Sequence, residues 1–170
     1  MPRAKSTGTS VLRTDTALLG AAGEHLVLSR LLLRGFLAAQ APHNVRKADI
    51  LVNHLDAKPP CLIQVKARSG KGADGGWHMK QKHEDMVDKD MFYCFVDFGY
   101  EEARIYVIPA KKVAKVVKES HATWLNLPGK NGKPHNDSDV RRIRNHYSLD
   151  LQSAPRGWMD KYLENWEILG

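Results

Sequence analysis

Cys61-Leu62-Ile63-Gln64-Val65-Lys66-Ala67 is an apolar run broken only by an amide and a lysine two residues apart. Side chains alternate along a strand, so Gln64 and Lys66 share one face while Ile63, Val65 and Ala67 share the other. If the strand is central, a long cation and an amide project together into a covered face; an edge strand with one wet face would accommodate them without function. Working outwards, Asp49-Ile50-Leu51-Val52 lies upstream across a turn around Asp56-Ala57-Lys58-Pro59-Pro60, which predicts two strands joined by that turn.

Before this pair, Thr16 to Arg34 reads as a helix with a broad apolar surface from Leu18, Leu19, Ala22, Leu26 and Leu33, and with Gly35 in the stop position. Gly20-Ala21-Ala22-Gly23 lacks the Lys-Ser/Thr of a phosphate loop and reads as a place of close helix packing. Phe36 to Ala41 is a short extended run. Downstream, Ser69 to Gly76 holds four glycines in eight residues, a loop; a short polar helix is expected over Lys80 to Val87, and strands over Met91 to Asp97 and Arg104 to Pro109. Lys111 to Leu125 is an amphipathic helix with Val113, Val116, Val117 and Trp124 on its apolar stripe. Leu127 to Asp139 is a loop, and Ala154 to Leu169 a terminal helix anchored by Trp158, Tyr162 and Trp166. This order predicts an α/β fold, a mixed central sheet flanked by helices. Residues 1–13 read as a loose basic arm and residues 14–170 as one domain, a size that buries roughly 70% of the surface of its unfolded chain.

Three polar residues break the apolar pattern. Glu24 has Gly20, Ala21, Val27 and Leu28 as helical neighbours, so its carboxylate is expected to be partly buried and to need a cation, donor or metal; the bland alternative is the one wet edge of an apolar helix. Asp49 opens a strand, where aspartate is depleted and a turn or cap is the usual reason. The third break is the Gln64 and Lys66 pair. Together they form a coherent set: a carboxylate, an amide oxygen and the Val65 backbone carbonyl can ligate a hard cation such as Mg²⁺ or Mn²⁺. The cation would polarise a phosphodiester and activate a water, with Lys66 orienting that water or stabilising the developing charge.

The net charge of +7 is uneven: residues 103–147 carry 10 basic and 3 acidic groups. A field of this kind favours a polyanion such as DNA, unless it is only a solvated surface. Candidate phosphate contacts are Lys80, Lys82, Lys130, Lys133, Arg141, Arg142 and Arg144. Trp77 is expected in the core, and His78 and His83 at the surface near a basic groove, without the spacing of a zinc finger. The longest strongly apolar stretch, Leu26 to Phe36, is interrupted by Ser29, Arg30 and Arg34 and falls short of the ~20 residues of a membrane span, so no membrane insertion is expected. The lack of an apolar signal core behind Met1 to Ser6, with only Cys61 and Cys94 as thiols, points to a reducing cytoplasm.

Gly23-Glu24-x-x-Val27-x-x-x-Leu31-x-x-x-Gly35-Phe36, followed by Ala48-Asp49-Ile50-Leu51-Val52 and Ile63-Gln64-Val65-Lys66, resembles the PD-(D/E)XK nuclease superfamily. That superfamily includes restriction endonucleases, Holliday-junction resolvases and some homing endonucleases. The resemblance implies a restriction-endonuclease-like core and metal-dependent DNA cleavage, with Glu24 as the helical acid, Asp49 as the metal-binding aspartate, Gln64 at the variable third position and Lys66 as the catalytic lysine. Ala48 stands where the proline would be. Gln64 replaces the usual acid, removing a negative charge that Glu24 would have to supply. The alternative is a catalytically inert DNA-binding or accessory protein of the same fold. Two-strand cleavage would suit a homodimer.

Overall fold

In the computed structural model, residues 15–42, 47–54, 58–70 and 75–170 are described. The expected N-terminal arm, part of the turn before Cys61 and the middle of the glycine-rich loop lie outside them.

Helix α1 (Thr16–Leu33) starts where the Asp15 carboxylate accepts the Ala17 N–H at 2.7 Å, and it ends before Gly35, whose φ of 84° no β-carbon-bearing residue adopts cheaply. Five strands form the main sheet in the order β1-β2-β3-β5-β6: β1 (Leu37–Gln40), β2 (Ile50–Asn53), β3 (Cys61–Arg68), β5 (Met91–Asp97) and β6 (Arg104–Pro109). The β3/β5 pair is parallel and the others are antiparallel, so the sheet is mixed and β3 lies at its centre. β3 is therefore not an edge strand of the sheet, although its pairing with β2 ends at Ile63.

Each face has its own core. Ile63, Val65, Cys94, Val96 and Val107 pack with Val27 and Leu31 of α1. Here Gly23 is required, because a β-carbon on it would sit 2.9 Å from the Ala67 Cβ. On the opposite face Tyr93, Phe95 and Ile108 meet Val113, Val116 and Val117 of α2 (Ala110–Leu125). That side also receives a two-stranded ribbon, β4 (Gly76–Lys80) with β7 (Val140–Arg144), through Trp77 and Ile143, both fully buried. By length and composition α1 is apolar enough to cross a membrane, contrary to the reading from Leu26 to Phe36; here Gly23, Val27 and Leu31 are buried against the sheet.

Other expectations fail for local reasons. The helix foreseen over Lys80 to Val87 is one 3₁₀ turn, Gln81–Glu84, because β4 runs to Lys80. The ribbon itself escaped the sequence reading: each strand has five residues, and β7 is three-fifths arginine. Ala154 to Leu169 is no helix; Gly157 and Glu164 adopt positive φ, leaving 3₁₀ turns at Asp160–Tyr162 and Trp166–Leu169. Its aromatic anchors are buried nonetheless, with Trp158 and Tyr162 in one core and Trp166 in the other. The segment thus wraps the β6 edge, where the Glu164 N–H donates to the Ile105 carbonyl at 2.8 Å. Trp124 leaves the apolar stripe, is 37% exposed, and stacks on His135 at 3.9 Å.

Candidate functional site

Strand β2 is shorter than β3, and that mismatch makes the site. Their register pairs Ile50 with Ile63 and stops there. Asp49 continues the ladder by one bond, its N–H donating to the Ile63 carbonyl at 2.8 Å, and then the chain departs. Beyond this point β3 has no β2 neighbour. The Asp49 carboxylate takes over, its Oδ2 accepting the Val65 N–H at 2.7 Å and the Gln64 amide N–H at 2.5 Å. The aspartate at the strand opening thus caps a bare strand edge with its side chain.

Alternation along β3 turns the backbone of Leu62, Gln64 and Lys66 to β5, and the Leu62 N–H accordingly donates to the Asp90 carbonyl. Ile63 and Val65 therefore face the β2 side, and the Val65 carbonyl is aimed along the same open edge as the Asp49 carboxylate. Asp49, Gln64 and the Val65 backbone meet at one point, all three part-buried or buried. The other Asp49 oxygen, the Gln64 amide oxygen and the Val65 carbonyl are hard oxygen donors of the kind a divalent cation takes. Among the described residues, no three Asp, Glu, His or Cys side chains gather for a metal, so the amide and the backbone have to complete any such site.

Lys66 projects from the same face as Gln64, cross-strand from Phe95. Burial lowers its pKa from the ordinary lysine value; the charges of Asp49 and Glu24 oppose that shift and Lys82 adds to it. Glu24 comes from α1, in the layer on the far side of the sheet, yet its charge is felt at Lys66. The charges of Asp49 and Glu24 thus both act on Lys66.

Two further members were not foreseen. His83 is 2% exposed, not a surface residue, and its Nδ1 shares a 2.7 Å hydrogen bond with the Tyr93 hydroxyl. Burial, then the charges of Lys66 and Lys82, hold His83 down to about 4. Tyr93 lies directly opposite Gln64 in the parallel register and contacts the Met86 sulfur at 3.5 Å. In sequence His83 looked like part of a polar segment and Tyr93 like one aromatic of an apolar strand; nothing local marked either one.

The basic residues separate into two kinds. Lys82, Lys130 and Lys133 are exposed, as is Lys80, which pairs with Asp139 at 3.6 Å. Arg141 is instead 3% exposed and bound to Glu84, to Asp137 and to the Ser138 and Val140 carbonyls, so it ties β7 to the 3₁₀ turn rather than facing a ligand. Arg142 donates to His78 Nδ1 across the ribbon. Asp97 is taken by Arg68 and by the Gly99 N–H, which makes it a turn residue outside the site.

The structure is similar to that of a bacterial homing endonuclease, I-Ssp6803I, with a TM-score of 0.54 and 16% identity over 91% of this chain and 91% of that one. This chain shares that nuclease's fold. No family model matches the sequence, and no curated protein matches it. At this identity the likeness concerns the path of the backbone and assigns no role to Glu24, Asp49, Gln64 or Lys66.

Proposed function

We propose that the protein is a Mg²⁺- or Mn²⁺-dependent DNA endonuclease of PD-(D/E)XK type. The observation that carries this reading is the convergence of the Asp49 carboxylate, the Gln64 amide and the Val65 backbone on the open edge of β3, with Lys66 beside them. The shared fold with a homing endonuclease supports it. Asp49, Gln64 and the Val65 carbonyl would hold the cation, with Glu24 adding the second negative charge. When bound, the cation lowers the pKa of a water and offsets charge on the phosphodiester.

The protein's own groups do the rest. Asp49, anchored by two hydrogen bonds, keeps its carboxylate oriented without rearrangement. The Lys66 ammonium orients the attacking water and stabilises the negative charge that develops on the non-bridging phosphoryl oxygens. Burial eases its deprotonation, so it can also exchange a proton with that water. Lys80, Lys82, Lys130, Lys133, Arg142 and Arg144 would hold the phosphate backbone, and a homodimer would present one site to each strand. Buried, unpaired Cys61 and Cys94 suit a reducing compartment such as the cytoplasm.

The test is cleavage of duplex, single-stranded and branched DNA with and without Mg²⁺ or Mn²⁺, alongside the oligomeric state by light scattering. Activity that survives Asp49→Ala and Lys66→Ala together would sink the assignment. One observation favours a second reading, an inert DNA-binding or accessory protein: no three metal-ligating side chains of the acidic, His or Cys type converge among the described residues. Salt-dependent DNA binding without cleavage under either metal would select it.

A further inference from the structure

A recess of about 310 Å³ opens between α2 and β7, away from Asp49 and Lys66. Its walls include Trp124, Arg142, Arg144 and Tyr147. The basic groups here are not equivalent. Arg141 is neutralised by Glu84 and Asp137. The Asp137 carboxylate, near the rim, is engaged by His121 at 2.8 Å, by the Ser138 N–H at 2.7 Å and by Arg141 at 3.4 Å, so its charge is shared with partners other than Arg144. Arg144 differs. Its Nε is buried without a hydrogen-bond partner, and no carboxylate among the described residues pairs with it. A guanidinium left without a counter-charge in a recess is costly by itself and is relieved by an anion, whose two oxygens match its fork.

Beside this cation lies an aromatic surface. Trp124 stacks on His135 with ring centroids 3.9 Å apart and is tilted against His121 at 5.4 Å, yet it remains 37% exposed. The other tryptophans, Trp77, Trp158 and Trp166, are at most 5% exposed. An exposed indole next to an unpaired arginine recognises a ligand that has both a flat ring and a phosphate. The volume sits at the lower end of the roughly 300–1,000 Å³ of ligand pockets, enough for one nucleotide and too little for a duplex. Arg142, reaching His78 across the ribbon, continues the basic surface to a second recess of about 500 Å³ beside Gly20, Arg68 and Gly70.

We infer that the α2/β7 recess takes one unpaired nucleotide of a DNA strand, its phosphate on Arg144 and its base against the Trp124 aromatic cluster. This rests on the endonuclease reading and makes its substrate class DNA with a single-stranded segment. Binding of a twelve-residue oligothymidylate and of a blunt twelve-base-pair duplex to the full chain, followed by fluorescence anisotropy without divalent metal, tests it. The oligothymidylate quenches tryptophan emission, and Trp124→Leu removes the quenching. Trp124→Leu weakens oligothymidylate binding about tenfold and leaves the duplex within about twofold, in line with base–aromatic stacking. Arg144→Gln, an independent variant at the other end of the recess, also weakens the oligothymidylate. Unchanged binding in both variants, or equal loss for both probes with Trp124→Leu, overturns the inference. Failure of the endonuclease reading is a separate result, the absence of metal-dependent cleavage by the unmodified protein whatever the two probes show.

Discussion

Asp49 is both a structural cap and the proposed metal carboxylate, and these roles separate by substitution. Asp49→Asn keeps an acceptor for the Val65 N–H but loses the charge, so the fold survives while cleavage falls by at least two orders of magnitude. Asp49→Ala also leaves the Val65 N–H without its partner and costs about 1–3 kcal/mol, read as the difference in urea midpoint between the two variants. His83 gives a pH signature. Its folded-state pKa of about 4 lies below the ordinary 6.5, so the unfolded chain takes up a proton first as pH falls. The His83 contribution is therefore complete above pH 6.5 and is lost between 6.5 and 4, at no more than about 1.4 kcal/mol per pH unit. Replacing His83 by Gln flattens that part of the stability curve; an unchanged slope would show that His83 protonates freely in the folded protein. Lys66 acts in the same sense at higher pH. With its pKa lowered, the folded form releases the proton first, and stability rises as pH climbs towards 10.5.

At the scale of elements, the contact between α1 and β3 sets how closely Glu24 approaches the site. Gly23 and Gly20 lie one turn apart on α1 but differ in surroundings: a β-carbon at Gly23 meets Ala67, whereas one at Gly20 meets nothing within 4 Å. Gly23→Ala is expected to push the helix outwards and cost about 1–3 kcal/mol. Gly20→Ala is expected to stabilise by up to about 1 kcal/mol through helix propensity. Thermal melts of the two variants check both, and opposite signs are the outcome required. A buried ion pair, Arg141 with Glu84, ties the β4/β7 ribbon to the 3₁₀ turn. Arg141→Met leaves Glu84 without its partner, so the ribbon should loosen before the main sheet, visible as early amide exchange in residues 76–80 and 140–144.

For the whole molecule, the question is what the positive excess does. If Lys80, Lys82, Lys130, Lys133, Arg142 and Arg144 all meet phosphates, the logarithm of duplex affinity should fall against the logarithm of salt with a slope of roughly −5. A slope shallower than about −2 would assign most of these charges to solubility. The buried thiols are a second global probe. Burial raises Cys61 to about 11 and pushes Cys94 further up, so neither should react with a thiol reagent until the protein unfolds.

The sequence by itself determined four strands of the main sheet, because alternation in residues 49–52 and 61–67 and the apolar blocks at 91–97 and 104–109 leave little other choice, and it marked Glu24, Asp49, Gln64 and Lys66 as exceptions to that pattern. It also placed α1 and α2 through their apolar spacing. What only the tertiary structure decided is longer in range. β2 ends at Ile50, opposite Ile63 and two residues short of Val65, which turns Asp49 from a turn residue into a cap. His83 and Tyr93, ten residues apart, meet behind Gln64 because β4 and the 3₁₀ turn fold back over β5. Arg141 and Arg144 stand three residues apart on β7, yet one is neutralised by Glu84 while the other has no carboxylate partner among the described residues. Local pattern fixes which face a residue takes within its own element, whereas charge compensation and close approach depend on partners tens of residues away, whose positions are set by the packing of whole layers.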